Sequence, residues 1–123
     1  QDLIALAFHI RWQDKSNYHY ENLTYLASEY EKQQLLNPSI IVDTNHANSA
    51  KLYKEQPRIA REVLMSRKYN STLKKMIKGL MVESYLVGGK QDVNDNIYGK
   101  SITDPCLGWE DTENLIYYIA ENV

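Results

Sequence analysis

The chain has 123 residues, 43% hydrophobic and 24% charged, with 14 Lys and Arg against 16 Asp and Glu for a net charge of −2. That length suits one domain, since domains of ~150 residues bury roughly 68–70% of the surface that the unfolded chain exposes. A near-neutral balance excludes an electrostatic grip on nucleic acid, which needs a basic face to displace counterions from phosphate. The single cysteine, Cys106, offers no internal disulfide, so the composition suits a reducing, cytoplasmic compartment.

The first apolar run, residues 3–10, reads as a buried strand and ends at Arg11. It is far shorter than the ~20 residues that cross a bilayer, so no membrane association is expected. Leu23, Leu26, Ala27 and Tyr30 then recur at helical spacing, predicting an amphipathic helix from about residue 20 to 36 that stops at Asn37 and Pro38. Residues 39–42 form a second apolar run. A second helix begins near Pro57, a residue suited to the first helical turn, carries Ile59, Ala60 and Val63 on one face and fades near Asn70 and Ser71. The third apolar run is Gly79, Leu80, Met81 and Val82. A last helix is predicted from Asp111 as N-cap, with Leu115, Ile119 and Val123 at steps of four.

Uniformly apolar runs are typical of parallel strands covered on both faces. Alternating with helices, they predict an α/β fold of repeated βα units joined by right-handed crossovers. Between residues 84 and 110 lie four of the five glycines, in a stretch read as a long loop, and loops of that length usually carry function or disorder.

Polar groups stand just past each predicted strand: Arg11, His46 and Glu83. In parallel α/β folds that carboxyl end is where ligands bind. Taken singly, a strand-end arginine or glutamate is more often a surface ion-pair partner. Taken together, one imidazole and two carboxylates, His46, Glu83 and Asp104, make a donor set for a first-row divalent metal. Nothing in their spacing unites them; only a fold that gathers strand ends does.

Three segments carry a resemblance. Tyr98-Gly99-Lys100-Ser101-Ile102-Thr103-Asp104-Pro105-Cys106-Leu107-Gly108-Trp109-Glu110-Asp111-Thr112-Glu113 resembles the carboxyl-terminal signature of the type I 3-deoxy-D-arabino-heptulosonate 7-phosphate synthases. Asp43-Thr44-Asn45-His46-Ala47-Asn48-Ser49-Ala50-Lys51 resembles that family's Asp-x-Ser-His-Ala-Asn-Ser-x-Lys, with Asn45 where the family has serine. Met81-Val82-Glu83-Ser84-Tyr85-Leu86 resembles its Met-x-Glu-Ser-His-Leu.

The resemblance implies the last three βα units, strands six to eight, of a (β/α)8 TIM barrel. Residues 1–123 would be a single carboxyl-terminal segment, and strands one to five would lie outside it. The implied activity of the full enzyme is condensation of phosphoenolpyruvate with erythrose 4-phosphate, the first step of the shikimate pathway, with a divalent metal such as Mn, Fe, Co or Zn. Carried over residue by residue, His46, Glu83 and Asp104 match three metal ligands, and Arg11 matches the contact to the phosphoenolpyruvate phosphate. The family's fourth ligand is a cysteine from the early barrel. Cys106 matches a different position and is not that ligand. The chain alone is accordingly expected to hold metal weakly or not at all, to lack activity, and to pair with another copy or with the rest of the barrel. The alternative is a non-catalytic half-barrel that binds or regulates another chain.

Overall fold

The computed structural model describes residues 15–123. Arg11 and the predicted strand at residues 3–10 lie outside the described residues. Four α-helices and four strands follow, α1 (Tyr20–Lys32), β1 (Ile40–Asp43), α2 (Gln56–Tyr69), α3 (Ser71–Met76), β2 (Ile77–Met81), β3 (Val87–Lys90), β4 (Lys100–Ser101) and α4 (Trp109–Asn122), with a short 3-10 turn (Tyr53–Glu55) leading into α2. β1 and β2 pair in parallel, with Val42 opposite Leu80 and Asp43 opposite Met81. A second parallel pair, β3 and β4, sits within the stretch expected to be loop. The chain is thus a mixed α/β fold with parallel strands.

Helix α1 buries Leu23 and Ala27 in the main core, the apolar stripe its spacing predicts, and ends at Lys32, four residues before the expected stop. Helix α2 has Pro57 in its first turn and buries Ile59, Ala60, Val63 and Leu64. Asn70 then ends α2 and caps α3, its side-chain oxygen accepting from the amides of Thr72 and Leu73 at 2.9 and 3.2 Å. The fading predicted near Asn70 is therefore a break between two helices. The short α3 runs straight into β2, which starts two residues earlier than its apolar run.

Ile40, Val42 and Ile77 join Leu23, Ile59, Val63, Leu73 and Met76 in the main core. A smaller cluster places Leu107 and Leu115 against Ala60, with Leu80, Val82 and Ile119 around it. β2 departs from the expectation of a strand covered on both faces: only Ile77 is fully buried, and Met81 is exposed. The last helix also corrects the sequence reading. Its N-cap is Gly108, not Asp111, which lies in the first turn where a negative charge meets the helix dipole. Gly108 packs so closely on Gly88 that an added Cβ would stand 3.2 Å from the Gly88 nitrogen.

The β3–β4 turn depends on Gly99, whose φ is +75° and whose added Cβ would stand 2.9 Å from the Leu86 Cβ. Gly99→Ala is expected to destabilise the chain by about 1–3 kcal/mol, from left-handed strain and the forced shift of Leu86. Urea denaturation measures it, as a lower midpoint at unchanged slope. An unchanged midpoint would mean that this turn relaxes without cost.

Candidate metal centre

The parallel pairing carries the chain past both strand ends side by side. The Thr44 amide donates to the Met81 carbonyl at 3.0 Å, continuing the ladder. Beyond β2, the Leu107 amide donates to the Glu83 carbonyl and the Tyr85 amide to the Leu107 carbonyl, each at 2.9 Å. Gly89 and Cys106 exchange a further pair of backbone bonds. These bonds lay residues 104–107 beside the end of β2, and so bring Asp104 to the strand ends despite its distance in sequence.

At that end a tight turn shapes the His46 segment. One Asp43 carboxylate oxygen accepts from the Asn45 amide at 2.8 Å, an Asx-turn, and the other lies 2.7 Å from His46 Nδ1. His46 takes a left-handed conformation, φ +53°, uncommon for a residue with a side chain. The result is an imidazole whose Nδ1 faces Asp43 and whose Nε2 faces outward. Nε2 lies 3.1 Å from Glu83 Oε1 and 3.3 Å from Asp104 Oδ2. Among the described residues, His46, Glu83 and Asp104 form a group whose donor atoms all lie within 4.8 Å of one another. Their side chains are 27%, 26% and 42% exposed, so the cluster is partly sheltered yet open on the Asp104 side.

Burial alone would lower the pKa of His46, but the hydrogen bond to Asp43 and the charges of Asp43, Glu83 and Asp104 together outweigh it and raise the value. Burial raises that of the Cys106 thiol, against an opposing hydrogen bond from Ser101. The thiol turns to the Asp104 carbonyl, 3.4 Å away, and stands outside the donor group.

The platform beneath the cluster is buried and polar. Gln56 is 0% exposed and clamps the Glu83 backbone: its Oε1 accepts from the Glu83 amide at 2.9 Å and its Nε2 donates to the Glu83 carbonyl at 2.9 Å. The Thr44 hydroxyl lies 2.9 Å from the same Gln56 oxygen. Ser49 donates to Asn45 at 2.6 Å, and the Asn48 side chain donates to the Asp43 carbonyl at 2.7 Å. Sequence reasoning missed Gln56 as part of the site, and it took Asn45 only as a polar neighbour able to orient the His46 ring, whereas the Asn45 side chain reaches Glu83 and Pro105. Their signal was slight: a polar residue before Pro57, and an asparagine in a polar run.

The sequence pattern defining the DAHP synthetase I family matches residues 2–116. The chain belongs to that family. A phospho-2-dehydro-3-deoxyheptonate aldolase of Haemophilus influenzae is 41% identical over 118 residues, 93% of this chain and 32% of that protein. The Trp-sensitive aldolase of the same name from Escherichia coli K12 is 35% identical over 117 residues, again 93% of this chain and 32% of the other. The solved aldolase from Francisella tularensis SCHU S4 superposes with a TM-score of 0.79 at 30% identity, covering 89% of this chain and 31% of that one. By family the chain belongs with enzymes, and it spans about a third of the length of the curated relatives it matches. No described helix is long and apolar enough to cross a membrane.

Proposed function

We propose that residues 1–123 form one segment, the last three βα units of a (β/α)8 barrel, in a cytoplasmic enzyme that condenses phosphoenolpyruvate with erythrose 4-phosphate and water to give 3-deoxy-D-arabino-heptulosonate 7-phosphate and phosphate. His46, Glu83 and Asp104 hold its divalent metal, and Arg11 contacts the phosphoenolpyruvate phosphate. The observation that carries this reading is the convergence of one imidazole nitrogen and two carboxylate oxygens from three distant segments.

The donor set fits a small divalent ion. Two donors ~2.1 Å from a common tetrahedral ion stand ~3.4 Å apart, and the His46 Nε2 distances of 3.1 and 3.3 Å come close to that edge. Asp43 on Nδ1 sets the tautomer that leaves the Nε2 lone pair for a metal. A bound ion supplies Lewis acidity toward the aldehyde oxygen of erythrose 4-phosphate. The chain's own residues supply orientation: Gln56 fixes the Glu83 backbone, and the Asx-turn fixes the imidazole. The family's cysteine ligand and its other phosphate contacts belong to the rest of the barrel.

The second reading, a half-barrel that binds another chain, draws on the free side of β2. Among the described residues β2 pairs with β1 alone, and an apolar groove of about 470 Å3 lies beside it between α2 and α4. Reading the coding sequence upstream of residue 1 discriminates the two. Five further βα units with a cysteine ligand support the enzyme, and an unrelated upstream sequence supports the binding module.

Metal titration tests the site directly. The complete polypeptide that carries this chain is expected to bind one Mn2+ per molecule, and His46→Ala to weaken binding more than about a hundredfold, beyond the ~10–100-fold typical of losing a neighbour of a ligand. Equal binding by the variant removes His46 from the site.

A further inference from the structure

Asn45 is 1% exposed and joins all three segments that bear the donor atoms. Its Nδ2 donates to Glu83 Oε2 at 2.6 Å and to the Pro105 carbonyl at 3.2 Å, and its Oδ1 accepts the Ser49 hydroxyl at 2.6 Å. A carboxylate and a carbonyl only accept hydrogen bonds, so the amide nitrogen must face them, and this orientation is fixed by chemistry. One buried side chain thus ties the residue before His46 to Glu83 and to the residue after Asp104.

We propose that Asn45 is a positioning residue that makes Glu83 a one-oxygen ligand. It holds Oε2 away from the ion and leaves Oε1, 3.1 Å from His46 Nε2, as the coordinating atom. This inference rests on the metal-site reading above. A carboxylate with both oxygens free can chelate through both, as it does around larger oxygen-seeking ions. Chelation of that kind would consume a coordination position that substrate needs. A short hydrogen bond to a carboxylate is among the stronger kinds, and removing its donor leaves a sheltered oxygen to find another partner, for which an ion held by Oε1 of the same carboxylate would be available. The second N–H, on Pro105, adds a restraint on the Asp104 segment. A serine at position 45 has one hydroxyl hydrogen and serves one of the two acceptors at most.

The test uses Mn2+ alone as probe, with free Mn2+ counted by electron paramagnetic resonance in the complete polypeptide that carries this chain and in two variants of it. Asn45→Ala is expected to bind Mn2+ about 10–100-fold more weakly, and Asn45→Ser to fall between it and the parent. In Mn2+-loaded crystals of Asn45→Ala, Glu83 is expected to turn and present both oxygens. A role confined to filling space would lower the melting temperature while leaving the affinity of the folded protein and the Glu83 conformation unchanged. Affinities within twofold of the parent for both variants, or a Glu83 that still coordinates through Oε1 alone in Asn45→Ala, overturn the proposal. If Asn45→Ala does not fold, the milder Asn45→Ser decides: parental affinity overturns the proposal, and weakened affinity supports it. A parent complete polypeptide that binds no Mn2+ defeats the metal reading itself, which separates that failure from this one.

Discussion

Glu83→Ala, introduced into the complete polypeptide that carries this chain, is expected to abolish metal-dependent heptulosonate formation, a loss of more than about a hundredfold. The lower bound comes from losses of ~10–100-fold when only a hydrogen-bonded neighbour of a ligand is removed. Glu83 contributes one of three donors in the described cluster, and it is also the group on which Asn45 acts. Its removal takes a negative charge from beside the His46 imidazole and leaves a buried amide N–H of Asn45 facing empty space. The fold should survive, because Gln56 grips the Glu83 backbone and not its side chain. Loss of activity with an unchanged melting temperature therefore separates a site effect from unfolding. Initial rates across a Mn2+ titration measure it. Unchanged turnover with ordinary Mn2+ dependence would remove Glu83 from the site.

The strands at residues 39–42 and 79–82 were legible because uniform apolar runs bounded by polar residues leave little else to form. Both lie within two residues of β1 and β2. The same runs placed His46 and Glu83 at strand ends, where the fold brings them together. Other features had no local signature. α3 is six residues long, too short for a periodic stripe, and is specified by the Asn70 cap and by burial of Leu73 and Met76. β3 and β4 are held by backbone bonds between segments distant in sequence, from the Val87 amide to the Gly99 carbonyl and from the Gln91 amide to the Ser101 carbonyl, and Gly88 of β3 packs on Gly108, the N-cap of α4. Gln56 and Asn45 hide for another reason. A buried amide is favourable only when every partner is in place, and two of those partners, Glu83 and Pro105, are at least 27 residues away in sequence.

A preparation of these 123 residues alone is expected to self-associate and to form no heptulosonate 7-phosphate. Among the described residues, the second edge of β2 has no strand beside it, and unpaired parallel edges recruit other chains. Next to that edge, Leu80, Val82, Leu115 and Ile119 line the groove between α2 and α4, together with Ile116 and Val123, which are exposed. Apolar surface grouped in this way marks a contact site more often than isolated exposed side chains do. The arrangement favours a closed two-fold pair over an open filament, because a two-fold contact pairs the same β2 edge on both copies and so uses it up. Sedimentation across a hundredfold range of concentration reads the outcome, as a rise in mean mass from one chain toward two. Charge substitution at the groove, Leu115→Glu, disrupts the smaller core as well and is the wrong probe. Ile116→Glu changes an exposed position and is expected to shift the association midpoint at least about tenfold upward in concentration. A monodisperse monomer at every concentration, unfolding cooperatively, would show that the groove is closed by the chain itself. Product formation by the same preparation would mean that three donors and the phosphate contacts of this segment suffice for catalysis.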